Sequence, residues 1–137
     1  MQISVKGIEA RRAPLSCLIV DDSAFARFHL KRLMDSFENF IASEAANGNE
    51  AISEYKRLRP DIVLMDIVMP GIEGVETVKR ICETDPSARV IMISSVSYRE
   101  KVEEAIAAGA KWFIPKPVTT DELKRAIEGV LGPGQCK

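Results

Sequence analysis

Cysteine, histidine and aromatic residues are scarce in this 137-residue chain: three Cys, one His, and eight aromatics made up of one Trp, two Tyr and five Phe. Cys17, Cys82 and Cys136 are odd in number, far apart and without paired metal-ligand spacing, which excludes a disulfide framework and a zinc site. A reducing, cytoplasmic setting is expected. There is no excess of charge of one sign: 19 Lys and Arg against 20 Asp and Glu leave a net charge of -1. General attraction to nucleic acid or to an anionic membrane surface is therefore not expected. Long apolar runs are missing as well. Ile62 to Met65 and Val90 to Ile93 are far short of the roughly 20 residues a membrane span needs. The start of the chain carries Lys6, Glu9, Arg11 and Arg12 where a signal peptide would place its apolar block.

What is present is an ordinary globular composition, 46% hydrophobic and 28% charged, at a length typical of one domain. Residues 1–15 show no sustained period and read as an N-terminal extension, residues 16–131 as the domain, and residues 132–137 as a short tail begun by Gly132, Pro133 and Gly134. Five short apolar runs recur through the domain: Cys17 to Val20, Phe40 to Ala42, Ile62 to Met65, Val90 to Ile93 and Trp112 to Ile114. The first, third and fourth are continuous blocks, the pattern of strands covered on both faces.

Between them lie amphipathic segments with helical spacing. Ser23 caps a stretch with Phe25, Phe28, Leu30, Leu33 and Met34; Asn47 caps one with Ala51, Ile52 and Tyr55. Val75, Val78 and Ile81 mark a third helix and Val102, Ala105 and Ile106 a fourth, while Leu123, Ile127, Val130 and Leu131 follow Thr120 as the expected cap of a fifth. Alternation of this kind with right-handed crossovers predicts an α/β fold, a doubly wound (βα)5 sandwich around a five-stranded parallel sheet.

The chemistry-bearing residues fall at the strand ends. Asp21 and Asp22 follow the first run, Asp66 ends the third, Ser94 the fourth, and Lys116 follows the fifth. Ligands of open parallel sheets bind beyond the carboxyl ends of the strands, so all five groups are expected on one edge. The second strand supplies none, as suits an edge position. Singly these residues have plainer readings: a solvated Asp-Asp turn, a strand-end hydroxyl, a surface charge. Together, three carboxylates repel one another and call for raised pKa values or a cation. Mg2+, which takes oxygen ligands in octahedral geometry, suits them. A phosphoryl group is then the implied substrate, with Asp66 as nucleophile and Lys116 and Ser94 as partners of its oxygens.

Taken with their surroundings, these residues resemble the receiver domains of two-component response regulators, the stand-alone chemotaxis-type (CheY-like) regulators most of all. The resemblance covers about Ser16 to Leu131. Its motifs are Leu18-Ile19-Val20-Asp21-Asp22-Ser23, Asp66-Ile67-Val68-Met69-Pro70-Gly71 with Gly74 after it, Ile93-Ser94-Ser95, and Ala108-Gly109-Ala110 leading to Phe113-Ile114-Pro115-Lys116-Pro117. It implies a flavodoxin-like sheet of order 2-1-3-4-5. It also implies phosphoryl transfer to Asp66 from the phosphohistidine of a histidine kinase, Mg2+ held by Asp21, Asp22, Asp66 and the Val68 carbonyl, and a phosphate read by Lys116 and Ser94. The aromatic switch position is Phe113, where many relatives carry Tyr, so an output contact through a hydroxyl is unavailable; a plain core aromatic is the other reading. Lys116-Pro117 matches a peptide that is typically cis in the family.

Output is expected as a changed face, made by the fourth helix, fifth strand and fifth helix, that binds a protein target. The chain is then a monomer, with phosphorylation-dependent dimerisation as the variant, and not an enzyme beyond its own phosphorylation and dephosphorylation. Val68 and Val96, apolar near the phosphate, predict a different phosphate lifetime. Trp112, at the edge of the output face, reads either as partial packing or as a partner contact. His29, the single histidine, is read as a solvated helix residue, and the charges from Arg99 to Glu104 as a solvated helical face.

Three alternatives stand beside this. One is a receiver cut from a longer regulator. A haloacid-dehalogenase-like phosphatase would want its nucleophile after the first strand in a DxD pattern, which Asp21-Asp22 breaks. An FMN binder would need a hydroxyl- and Gly-rich loop where the two aspartates stand and would repel phosphate.

Overall fold

The structure, a computed structural model, describes residue 3 and residues 14–69, 74–95 and 99–131. Strands and helices alternate without exception among them: β1 Leu15–Val20, α1 Ala24–Asp35, β2 Phe40–Ala45, α2 Gly48–Leu58, β3 Ile62–Asp66, α3 Gly74–Thr84, β4 Val90–Ser94, α4 Arg99–Ala108, β5 Trp112–Pro115 and α5 Thr120–Leu131. All strand pairs are parallel, in the order β2-β1-β3-β4-β5. This is the expected doubly wound flavodoxin-like sandwich.

The three continuous apolar runs became the inner strands. Every residue of β3 and β4 is buried, whereas the edge strands β2 and β5 are half-exposed. Two cores result, one on each face. Leu15, Ile19, Ile62, Leu64 and Ile91 pack under α1 and α5; Leu18, Val20, Val63, Met65 and Met92 pack under α2, α3 and α4. Alternate residues of one strand thus feed opposite cores, as the two-residue side-chain period requires. Pro115 cannot donate to a ladder and stands at the end of the outermost strand, where no ladder partner lies beyond it.

Four details depart from the reading of the sequence. β1 begins at Leu15, so the expected boundary between residues 15 and 16 falls inside a strand. β2 runs on through Ser43, Glu44 and Ala45; as an edge strand it accepts polar residues that made its apolar run look short. The cap of α5 is Thr119, whose hydroxyl accepts from the Glu122 amide at 3.2 Å, and Thr120 is the first helical residue. Phe25 and Phe28 do not face the core: they are 80% and 57% exposed, because α1 buries Leu30 and Met34 and turns the two rings outward. The caps at Ser23 and Asn47 are as expected, accepting from the amides of Ala26 and Glu50. Ile3, in the expected N-terminal extension, forms a parallel bridge with Phe37 and packs against the α1–α5 core. Pro70, Gly71, Val96, Tyr98 and residues 132–137 lie outside the described residues. Among the described residues no helix is long and apolar enough to cross a membrane.

Candidate functional site

The parallel register levels the strand ends. Val20 pairs with Met65, Asp66 with Ile93, and Ser94 with Pro115, so Asp21, Asp66, Ser94 and Lys116 emerge along one edge. Asp21 and Asp66 are buried and Asp22 is exposed. One oxygen from each of the three carboxylates lies within 4.8 Å of the others.

Local backbone bonds hold this arrangement. The Asp21 amide donates to the Ala45 carbonyl at 3.2 Å, and an Asp21 carboxylate oxygen accepts from the Ser23 amide at 2.9 Å. Gly74 opens α3 against the end of β3, its amide donating to the Ile67 carbonyl at 3.1 Å. On the other side the Lys116 amide donates to the Ser94 carbonyl at 2.9 Å. The Lys116-Pro117 peptide is cis. The Lys116 ammonium reaches back across the edge to an Asp66 carboxylate oxygen at 3.4 Å.

Burial dominates the electrostatics. The Asp66 carboxyl is pushed above its ordinary range by desolvation, opposed by the Lys116 charge and the Val68 amide and reinforced by Asp22. Asp21 is pushed up likewise by desolvation, with the Ser23 amide and Lys116 opposing and Asp66 and Asp22 adding to the rise. Three carboxylates therefore face one nearby ammonium. A hard divalent cation with oxygen ligands fits that deficit, and Asp21, Asp22 and Asp66 are the residues that could hold it.

The remaining expected residues sit close by. Ser94 is buried and its hydroxyl donates to the Ser95 carbonyl at 3.1 Å rather than to the carboxylates. Val68 is exposed on the loop after Asp66. Phe113 is half-buried against the α2–α4 core and walls a cavity of about 260 Å³ with Arg99, Val102 and Glu103. Trp112 is 37% exposed, its indole lying over Gly129 of α5, so it is packed and accessible at once. A groove of about 410 Å³ runs from Asp21 and Lys116 past Phe25, the exposed His29 and Val118.

Two residues were missed. Arg27 of α1 donates through Nη1 to the Asp21 carbonyl at 2.7 Å and through Nε to Glu44 of β2 at 2.9 Å. The second strand therefore does contribute to this edge, at one remove. Nothing in the sequence separates Arg27 from the solvated charges around it.

Residues 17–128 match the family described as response regulator receiver domain. The chemotaxis protein CheY of Thermotoga maritima is 45% identical over 113 residues, covering 82% of this chain and 94% of that protein. The CheY of Listeria monocytogenes is 42% identical over 114 residues, 83% and 96% of the two chains. Among solved structures, the CheX-CheY-BeF3-Mg+2 complex from Borrelia burgdorferi superposes with a TM-score of 0.78 at 37% identity, covering 86% of this chain and 90% of that one. A strand order, an acidic edge and relatives of this extent all lead to one conclusion: the chain belongs to the response regulator receiver domains and is CheY-like.

Proposed function

We propose that the protein is a phosphorylation-switched binding module. The observation that carries this is the placing of the buried Asp66 at the end of β3, beside two further carboxylates and 3.4 Å from the Lys116 ammonium. An Asp66 carboxylate oxygen attacks the phosphorus of a kinase phosphohistidine; the P–O bond forms, the P–N bond breaks, and the imidazole nitrogen leaves with the electron pair and is protonated by solvent. Asp21, Asp22, Asp66 and the Val68 carbonyl would hold Mg2+, which when bound offsets charge on the phosphoryl oxygens. Lys116 holds one phosphoryl oxygen as a point charge, and Ser94 exchanges its bond to the Ser95 carbonyl for another.

Beyond this self-phosphorylation and slow hydrolysis, the chain performs no reaction. Its output is a changed α4-β5-α5 face, with Phe113 moving into or out of the cavity beside α4, that binds a protein target. The partnership recorded for the Borrelia CheY with CheX, in the presence of BeF3 and Mg+2, supports such an output. The unphosphorylated protein is a cytoplasmic monomer.

Intact mass and peptide mapping after incubation with a small phosphodonor test the proposal. A single base-labile phosphate on Asp66, dependent on Mg2+ and absent from Asp66→Asn, is the expected result. No adduct with any donor overturns it.

A further inference from the structure

Arg27 stands outside every role described above, yet it is bonded to the backbone of a residue in the acidic cluster. We propose that Arg27, held by Glu44, is a positioning residue for the metal-binding edge: it fixes the Asp21 peptide and so aims the Asp21 carboxylate. The inference rests on the reading of that edge as a Mg2+ site.

Asp21 is the first residue past β1, where the strand ladder stops supplying partners. Its amide still finds Ala45 on β2, but its carbonyl points toward the first turn of α1 and takes its hydrogen bond from Arg27 Nη1 at 2.7 Å. Asp21 is 3% exposed, so a carbonyl deprived of that donor is left buried and unsatisfied, and rotation of the peptide is the available relief. Rotation would swing the side chain that contributes an oxygen to the cluster.

The guanidinium is itself held at both ends. Arg27 closes the first turn of α1, its amide bonded to the Ser23 carbonyl, and its Nε is bonded to Glu44 at 2.9 Å. Glu44 faces Ile19 in the β1–β2 register, two residues before Asp21. The fork thus spans α1, the end of β1 and β2 with donors on two different nitrogens, which a lysine ammonium cannot reproduce. Glu44 balances the charge of Arg27, so its influence on the cluster is geometric.

The experiment is Mg2+ titration by calorimetry of the full chain and of four variants, alongside urea unfolding. Arg27→Gln is expected to weaken Mg2+ about tenfold, the lower end of what loss of an outer partner of a metal ligand costs. Arg27→Lys should fall between wild type and Arg27→Gln, and Glu44→Gln should weaken binding by a smaller factor. Lys31→Gln, which removes a cation 4.0 Å from the same glutamate, should leave it unchanged. The carbonyl carbon resonance of Asp21 should shift in the Arg27 and Glu44 variants without Mg2+.

Wild-type affinity in a folded Arg27→Gln overturns the proposal, as does a loss of affinity that merely follows the urea midpoint across all four variants. Should Arg27→Gln not fold, unchanged affinity in both Arg27→Lys and Glu44→Gln overturns it equally. A wild-type chain that binds no Mg2+ while the Asp21 resonance still responds to Arg27 overturns the metal-site reading instead, and the positioning role with it.

Discussion

Gly74 lies against the backbone of the strand that carries Asp66: a β-carbon built on it would stand 2.6 Å from the Asp66 carbonyl oxygen and 2.7 Å from the Ile67 Cα. Both neighbours are main chain and cannot turn aside. The start of α3 and the end of the strand that carries Asp66 are therefore set by one close approach that only glycine permits.

Gly74→Ala should consequently be felt at the site as well as in stability. Overpacking against backbone costs about 1 to 3 kcal/mol, and the shift it forces carries Asp66 with it. Urea unfolding should show the loss, and the rate of phosphate uptake from a small donor should fall in the folded variant. An uptake rate equal to wild type would contradict the coupling.

A pH dependence follows from the raised Asp66 carboxyl. Because its folded pKa lies above the unfolded value near 3.9, the folded state binds the extra proton between the two. Stability from this group is present below the unfolded pKa and is lost as pH rises through the folded one. Asp66→Asn should therefore resist urea better than wild type at pH 7 without Mg2+, and the difference should close toward pH 4. A gap that persists at pH 4 would show that the carboxyl is not raised.

Lys116 is 44% exposed along its side chain, so the proposed turn of its ammonium from Asp66 to a phosphoryl oxygen frees no buried lysine stem. Lys116→Ala should keep phosphate uptake by mass while losing the donor-dependent resonance changes on α4, β5 and α5. Without the opposing ammonium, the Asp66 carboxyl should also titrate higher than in wild type. Equal loss of uptake and switching would argue against the separation.

The contact between β5 and α5 offers a fourth measurement. A β-carbon on Gly129 would run into Cζ3 of Trp112, the chain's single tryptophan, and the indole rather than backbone would have to move. Gly129→Ala should shift the emission to the red as the ring is displaced into solvent. The helix gains about 1 kcal/mol from replacing glycine, so net stability should change little. An unchanged emission maximum would mean that the ring does not rest on this helix.

The expected alternation of strands and helices, its parallel sheet and the acidic edge were all legible in the chain. Cys17 to Val20, Ile62 to Met65 and Val90 to Ile93 are local patterns, and strands buried on both faces are apolar up to the ends that carry Asp66 and Ser94. Once those strands are accepted, topology alone collects Asp21, Asp22, Asp66, Ser94 and Lys116 at one edge, because each follows or ends a parallel strand. The resemblance to receivers supplied the strand order, which the pattern of runs only permitted.

What periodicity could not decide were matters of which distant segments meet. Phe25 and Phe28 have helical spacing yet face outward, since the direction of α1 is set by where Leu30 and Met34 find the core. Ser43 and Glu44 look like the end of a strand until pairing with Leu18 and Ile19 carries the ladder past them. Arg27 reads as one more solvated charge until folding brings it to Asp21 and Glu44. Burial pattern is a property of neighbours along the chain, and the sequence determined it; hydrogen bonds between elements depend on how helices rotate and strands register, and only the tertiary structure decided them.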